Sequence, residues 1–241
     1  MKKSLITIAF LTSISSFSYA ETSGLYINGQ IGASWLKAKS IEHHFNEDDI
    51  NPTSHLRFGS QNKTVLSGGV GIGYNFKPQF SIPIRTELMF TKRGNLNKNT
   101  NSRNVSYIDD DGDAQTANYY LRIKTRMNTL MLNTYYDIDT GTDFTPYASL
   151  GVGTAFLKYE RTGLVKGGDN EDADTDSKSK TRFAYSAGIG ASYKITDNWS
   201  TDLQARYTYG GKVSVSTNDN SSNSSLKLST TDLTIGVRYS F

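Results

Sequence analysis

The sequence predicts an all-β protein: an eight-stranded antiparallel up-and-down β-barrel that spans a membrane. Eight stretches alternate apolar residues with small or polar ones, and this period of two is typical of a strand with one apolar face. Short and long connections follow each other in turn, as in barrels with short periplasmic turns and long extracellular loops. Aromatic residues lie at or near the strand ends, where barrels carry their interfacial girdles.

The first twenty residues predict a secretory signal peptide that is cleaved after Ala20, leaving a barrel domain at 21–241. Lys2 and Lys3 precede a short apolar run, and small residues lie before the cleavage site. A membrane-anchoring helix is the alternative, but the run is too short for one. Without the two lysines, 24 basic residues face 23 acidic ones, a net charge of +1. This balance excludes a general nucleic-acid binder.

Cysteine is absent from the chain. The protein therefore has no disulfide framework, no thiol nucleophile and no cysteine for a lipid anchor. Mean hydropathy is low, at −0.49, while aromatic residues make up 12% of the chain. A transmembrane barrel combines these properties, because only alternate residues of its strands face lipid.

The predicted strands are long enough to cross a bilayer when tilted, since Leu25 to Trp35 covers eleven residues and a spanning strand needs about 9–11. The eight strands lie, in order, within 24–39, 64–76, 81–90, 128–138, 144–156, 182–195, 199–209 and 232–241. A soluble sandwich or a lipocalin-like barrel would instead bury the apolar face. That alternative explains neither the aromatic strand ends nor the alternation of short and long connections.

The connections predict which end of the barrel faces which compartment. The short ones, at 77–80, 137–143 and 196–199, are assigned to the periplasm, and the long ones, at 40–62, 93–117, 160–181 and 211–224, to the outside. The predicted outer girdle contains Trp35, Phe90, Phe156 and Phe183. The predicted inner girdle contains Phe76, Phe80, Tyr136, Phe144, Tyr193, Trp199 and Phe241.

The stretch NTYYDIDTGTDFTPYASLGVGTAF (133–156) carries a resemblance to a known family. It resembles the strand–turn–strand signature of outer-membrane β-barrel domains related to opacity-type surface antigens, and 185–209 and the final GVRYSF are similar to that family too. The resemblance implies an eight-stranded barrel, like the OmpA transmembrane barrel, in the outer membrane of a Gram-negative bacterium. Members are called surface antigens, adhesins or porin-family proteins, with no single shared activity.

The closing strand, 232–241, is predicted to pair with Leu25–Trp35 and so to remove both edges of the sheet. Tyr239 and Phe241 are expected at the periplasmic girdle. By the family resemblance, a terminal Phe after alternating apolar residues also serves as the recognition signal for the barrel-assembly machinery. Tyr239 and Phe241 are therefore interpreted as an assembly signal.

Strand alternation places a set of charged residues inside the barrel. The predicted lumenal charge network comprises Arg85, Glu87, Asp202, Arg206 and Arg238, with Gln204 among them. Unpaired charges in a narrow lumen are costly, so Glu87 and Asp202 are expected to neutralise some of the arginines. The network either plugs and fixes the barrel or lines a narrow path for small ions.

A basic cluster lies on the lipid-facing parity near the outer boundary. Lys92, Lys124 and Arg126 are predicted to contact lipopolysaccharide phosphates, since Arg126 falls about 25 Å above the inner end of its strand. The alternative is that this strand projects above the membrane and its charges are simply hydrated. At 118–137 it would exceed the length that a bilayer needs, and the surplus would form a ribbon with unpaired edges open to strand addition.

No candidate site supports catalysis, so the sequence predicts a protein that is not an enzyme and has no cofactor or bound metal. His43, His44 and His55 fall in the first long loop with no catalytic partner placed on a strand. The acidic stretch at 109–113 lacks the glutamate and the flanking helices of a calcium-binding EF-hand. The predicted function is adhesion to host or matrix proteins through loops and projecting strands; a narrow channel for ions or small solutes is the alternative.

Overall fold

The computed structural model describes residues 24–41, 61–108, 114–167, 170–216 and 223–241. Apart from one short helix, these residues form long β-strands. The elements are β1 (Leu25–Ile41), β2 (Gln61–Asn75), α1 (Lys77–Phe80), β3 (Ile84–Arg93), β4 (Leu96–Ile108), β5 (Ala114–Asp137), β6 (Phe144–Gly167), β7 (Asn170–Lys194), β8 (Trp199–Ser216) and β9 (Asn223–Ser240).

The strands close into an antiparallel barrel whose wall has eight strands, which confirms the predicted fold class. Neighbouring strands run in the order β3-β2-β1-β9-β8-β7-β6-β5, and pairing of β3 with β5 closes the ring. The break at Gly94 and Asn95 divides the third wall strand into β3 and β4, and both parts pair with β5. The closing strand pairs with the first as predicted, from Tyr26 opposite Ser240 to Ile41 opposite Ser225.

The barrel is apolar outside and polar inside. Large apolar side chains on the outward face are exposed, among them Ile31, Leu66, Val70, Leu150 and Ile189. Charged side chains are buried on the inward face. A soluble sandwich or lipocalin-like barrel has the opposite arrangement, so the structure contradicts that alternative. Within the described residues, no helix has the length and apolarity to cross a membrane.

The turns at one end of the barrel are short, as predicted. The connection at 77–80 is the single helical turn α1, which ends at Ser81 in a left-handed conformation (φ 55°). Lys77 in this turn forms an exposed ion pair of 2.6 Å with Asp139 of the next turn. That hydrogen bond lowers the pKa of the Asp139 carboxyl, and the pair links two neighbouring turns.

At the opposite end, two of the predicted long connections are largely strand. The predicted loops at 93–117 and 160–181 consist largely of β4, β5, β6 and β7, whose ladders continue far beyond the apolar band. Their polar sequences resemble loops because both faces of a ribbon in water are polar. The three histidines and the acidic stretch at 109–113 lie outside the described residues.

The prediction of unpaired edges at 118–137 is wrong. One edge of β5 pairs with β3 and then β4, and the other edge pairs with β6 from Asn118 to Asp137. Pairing between β7 and β8 stops at Tyr185 opposite Tyr209. Beyond the apolar band, the described strands therefore form two separate sheets. We call the one that contains β4, 114–125, 157–167 and 170–184 the four-stranded extension.

Candidate functional site: the lumen and the extracellular end

The first layer of the lumen, next to the short turns, is built around Arg85. Its guanidinium donates from Nε to Asp137 at 2.6 Å and from Nη2 to the other carboxylate oxygen at 2.8 Å. It also lies over the rings of Tyr135 and Tyr147, 4.7 and 5.0 Å from their centroids. The expected partners for the arginines were Glu87 and Asp202. In the structure Arg85 instead donates two hydrogen bonds to Asp137. Two bonds to one carboxylate fix the plane of the guanidinium.

Glu87 is joined to Arg206 through a tyrosine hydroxyl. Tyr135 donates to Glu87 at 2.7 Å and accepts from Arg206 at 2.7 Å. Asn28 donates to the other oxygen of Glu87 at 3.0 Å. The two charges are therefore separated by one shared hydroxyl, and Tyr135 is the central member of the network.

Asp202 lies beside Arg238 with 3.6 Å between Oδ1 and Nη1. Arg238 also donates to Ser192 at 2.8 Å and lies over the ring of Tyr26. The structure thus brings all five residues of the sequence-derived network into the first lumenal layer, linked partly by tyrosines. A tyrosine supplies both a ring face and a hydroxyl to an arginine.

A second lumenal ion pair lies further toward the extracellular end. Arg93 donates from Nη2 to Asp232 at 2.5 Å and from Nε at 3.1 Å. Thr129 accepts from Arg93, and Thr230 donates to Asp232. This pair is not among the residues predicted from the sequence, although Arg93 continues the inward parity of Glu87 and Asp232 continues that of Arg238.

Above this pair, the inside of the barrel changes from polar to apolar. An apolar layer of buried side chains fills the barrel where the wall passes into the extracellular sheets. It consists of Leu36, Ala38, Val65, Leu96, Met127, Met131, Ala155, Leu157, Ala184 and Leu228. An apolar constriction excludes ions because water does not stay in it.

The lumenal charges compensate one another. Four arginines, at 85, 93, 206 and 238, face four carboxylates, at 87, 137, 202 and 232. The lumen therefore holds no net charge from these groups, and each arginine contacts a carboxylate or a side chain that is hydrogen-bonded to one. This arrangement is typical of a barrel fixed by its interior rather than of a path that selects one ion sign.

The three basic residues assigned to lipopolysaccharide have the same strand parity as the exposed apolar residues Phe90 and Leu130. Lys92 is exposed. Lys124 lies 3.3 Å from Glu160, and Arg126 donates to Asn95 at 2.7 Å. Hydrogen bonds from Lys158 and Lys124 lower the pKa of Glu160, so this carboxylate offsets part of the basic charge. With Lys158 included, the cluster carries four cations and one anion.

Metal and catalytic groups are a separate question. Among the residues that the structure describes, no group of three or more His, Asp or Glu side chains is placed to hold a metal ion. Of the lumenal carboxylates, Glu87, Asp137 and Asp232 accept hydrogen bonds from lumenal side chains, and the hydroxyls of Ser67 and Thr201 donate to backbone oxygens of neighbouring strands.

A closed barrel with an apolar belt, a compensated lumen and strands that extend past one rim defines an outer-membrane β-barrel. The family model described as "Outer membrane protein beta-barrel domain" matches residues 4–241, and the chain belongs to this family. These proteins are surface barrels and not enzymes, in agreement with the sequence analysis. The outer membrane is therefore the location of the chain.

Three similar proteins illustrate the family. "Outer membrane protein PagN" of Salmonella typhimurium is 37% identical over 225 residues, covering 90% of each chain. A Rickettsia bellii protein with the name "Putative adhesin" is 26% identical over 250 residues, covering 99% of each. The crystal structure of Neisserial surface protein A has a TM-score of 0.45 and 20% identity, with coverage of 91% of this chain and 98% of that one.

Proposed function

We propose that the protein is a surface adhesin whose four-stranded extension contacts host or environmental molecules. One observation carries this proposal: β5, β6 and β7 contain 24, 24 and 25 residues, whereas a tilted spanning strand needs about 9–11. More than half of each strand therefore lies beyond what a bilayer requires. A hydrogen-bonded sheet offers a partner a more ordered surface than irregular loops do.

The relatives support the same proposal. The Rickettsia bellii protein that carries the name of an adhesin is similar over nearly the whole length of both chains, so the similarity includes the extension as well as the barrel. The lumen also favours an adhesin over a channel. Its charges compensate one another and lie beneath an apolar layer, which leaves little for a solute to bind.

The test removes the extension while leaving the barrel intact. One variant lacks 161–176 and another lacks 99–122, with an Asn-Gly turn joining the cut ends. In the first variant the last strand pair is then Glu160 opposite Ser177, and in the second it is Lys98 opposite Ile123. Cells that carry the full chain are expected to bind an immobilised panel of fibronectin, laminin and collagen, and each deletion should remove most of that binding.

The matched control shortens the other extracellular sheet. Removal of 213–226 leaves Lys212 opposite Lys227 as the last pair of β8 and β9 and does not touch the four-stranded extension. This variant should bind the panel as the full chain does. Equal binding by all variants, at equal surface levels, would contradict the proposal.

The channel alternative gives a separate prediction. The full chain in planar bilayers is expected to show no conductance steps, because the apolar layer excludes water above the Arg93–Asp232 pair. A variant with Leu36, Met127 and Leu157 all replaced by serine makes that layer polar and should conduct if the layer is the barrier. Reproducible steps from the unaltered chain would establish a channel and refute the closed lumen.

Contact with lipopolysaccharide through Lys92, Lys124 and Arg126 is a further part of the proposal. Arg126→Glu is expected to weaken binding to lipopolysaccharide micelles about tenfold, the value of one charge-assisted hydrogen bond. Lys77→Glu changes the same charge in a turn at the other end of the barrel and serves as the control. Dephosphorylated lipopolysaccharide should remove the difference; equal binding by both variants would leave these residues as hydrated surface charges.

We also propose that residues 1–20 are removed on export and that Tyr239 and Phe241 act as the assembly signal. Tyr239 packs between Trp199 and Phe241, with ring centroids 4.9 and 5.2 Å away. The three rings lie at the end of the barrel that carries the short turns. They offer the barrel-assembly machinery an aromatic strand end.

A further inference from the structure

A polar recess lies in the lumen against the wall strands β5 to β8, beneath the apolar layer. Five buried polar side chains from these four strands form it. They are Asn133 of β5, Ser149 of β6, Ser186 of β7, and Gln204 and Arg206 of β8. Their relative exposures lie between 0% and 5%, so these side chains are shielded from bulk water.

Two inward glycines make room for the recess. Gly151 lies opposite Asn133 of β5 and Ser186 of β7. Gly188 lies opposite Arg206 of β8. A Cβ atom at Gly151 would collide with Oδ1 of Asn133 and would lie 2.5 Å from Oγ of Ser186. Polar atoms of two neighbouring strands therefore occupy space that a larger residue at 151 would fill.

The Arg206 side chain extends over these glycines toward β5. Its Nη2 atom donates to the Tyr135 hydroxyl at 2.7 Å. Tyr135 is two residues from Asn133 on β5 and belongs to the same strand face. Because β6 and β7 lie between β5 and β8, side chains from β5 and β8 converge over the small residues of β6 and β7.

Three nitrogen atoms of the recess have no hydrogen-bond partner among the described residues. They are Nδ2 of Asn133, Nε2 of Gln204 and Nε of Arg206. Oδ1 of Asn133 also has no partner, so this amide offers an N–H donor whichever way it is turned. Buried donors without a partner are unfavourable. The recess therefore suits a ligand that accepts several hydrogen bonds.

The positive charge of Arg206 is compensated only at a distance. The other three lumenal arginines each form an ion pair with a carboxylate. Among the described residues Arg206 forms no such pair, because the Tyr135 hydroxyl separates it from Glu87. Nη2 of Arg206 is directed at that hydroxyl, which leaves Nε, the nitrogen nearer to β8, for a further acceptor.

We propose that the recess binds a halide ion between Nε of Arg206 and the amide nitrogens of Asn133 and Gln204. A halide is small, accepts several hydrogen bonds and brings the negative charge that is missing beside Arg206. The ion stabilises the barrel by joining β5 to β8 across the lumen. The apolar layer above closes the extracellular side, so this is a structural anion site. It is independent of the adhesin proposal.

Water is the competing occupant of the recess. Water molecules also accept hydrogen bonds from these nitrogens, and they donate to Oδ1 of Asn133. Water brings no charge to Arg206, so with water alone the stability of the barrel would not depend on which anion is present. The two occupants therefore differ in the anion dependence that they predict.

Refolding the full chain into lipid vesicles in chloride, bromide or gluconate, at one ionic strength, tests the site. Gluconate is too large for the recess, so the urea midpoint of unfolding should be higher in both halides than in gluconate. Crystals of the chain refolded in bromide should show an anomalous scattering peak beside Nε of Arg206. Absence of a bromide peak in the lumen would overturn the proposal and leave water as the occupant.

Variants of Gln204 locate the ion. Gln204→Leu removes one donor, so about tenfold more halide should be needed for the same rise in midpoint. Gln204→Glu supplies a carboxylate near Arg206, so its midpoint should be the same in gluconate and in halide.

Gln30→Leu is the matched control, because Nε2 of Gln30 lies 3.2 Å from a Cβ built on Gly69 of β2, away from β8. This variant should keep the halide dependence of the unaltered chain. A halide effect of equal size in all three variants would place the ion elsewhere and overturn the proposal.

Discussion

Replacing Arg93 by alanine is expected to cost the folded barrel about 3–5 kcal/mol, because the change leaves Asp232 buried without its partner. The side chains of this pair are 2% and 5% exposed, so water cannot solvate the remaining carboxylate in place of the guanidinium. Urea titration in lipid vesicles, followed by the fluorescence of the two tryptophans, measures the loss. Asp232→Asn also leaves a buried charge, that of Arg93, without its partner, but it should cost less because the amide oxygen still accepts a hydrogen bond from the guanidinium.

The exposed Lys77–Asp139 pair provides the matched control. It has a similar separation of 2.6 Å, but its side chains are 50% and 61% exposed. Lys77→Ala should therefore leave the unfolding midpoint nearly unchanged. Arg93→Met combined with Asp232→Leu should recover much of the loss, because an apolar pair suits the adjacent apolar layer. A small loss for Arg93→Ala, equal to that of Lys77→Ala, would show that the buried pair contributes little.

Strand parity made the barrel and most of the first lumenal layer predictable. In the membrane, one face meets lipid and the other meets the lumen, so alternation is strict; Arg85, Glu87 and Arg238 lie on the polar face of their strands and are buried. Arg93 lies at the start of a predicted long connection, so strand parity alone does not place it in the lumen. Asp232 has the parity of Arg238, but the apolar residues of its strand, and not Asp232, carry the signal that predicts the strand.

The extracellular strands were less predictable for a physical reason. In the outer parts of β6 and β7 the sequence is polar at most positions, so the period-two signal disappears and the sequence resembles a loop. The backbone pairing of β6 with β7 keeps these residues in strands, because it begins in the membrane-spanning part and continues without a break to Gly167 opposite Asn170. The same continuation pairs both edges of β5, which local sequence alone does not reveal.

Two tyrosines of the first lumenal layer lie across glycines of the neighbouring strand. Tyr26 is opposite Gly73, and Tyr147 is opposite Gly190. A Cβ atom at Gly190 would lie 2.5 Å from Cζ and 2.6 Å from the hydroxyl of Tyr147, and it would also meet the backbone oxygen of Leu203. The backbone oxygen of Leu203 cannot move aside as a side chain can. Glycine at position 190 therefore leaves the space in which the Tyr147 ring lies beside the Arg85 guanidinium.

Gly190→Ala is therefore expected to destabilise the barrel by about 1–3 kcal/mol through overpacking, and to displace Tyr147 from its position 5.0 Å from the Arg85 guanidinium. Gly29→Ala is the control, because a Cβ there meets nothing within 4 Å. The urea titration used for Arg93 measures both variants, and near-ultraviolet circular dichroism reports the tyrosine environment. A Gly190→Ala barrel as stable as Gly29→Ala, with an unchanged spectrum, would show that the ring has room to move and that the first layer tolerates rearrangement.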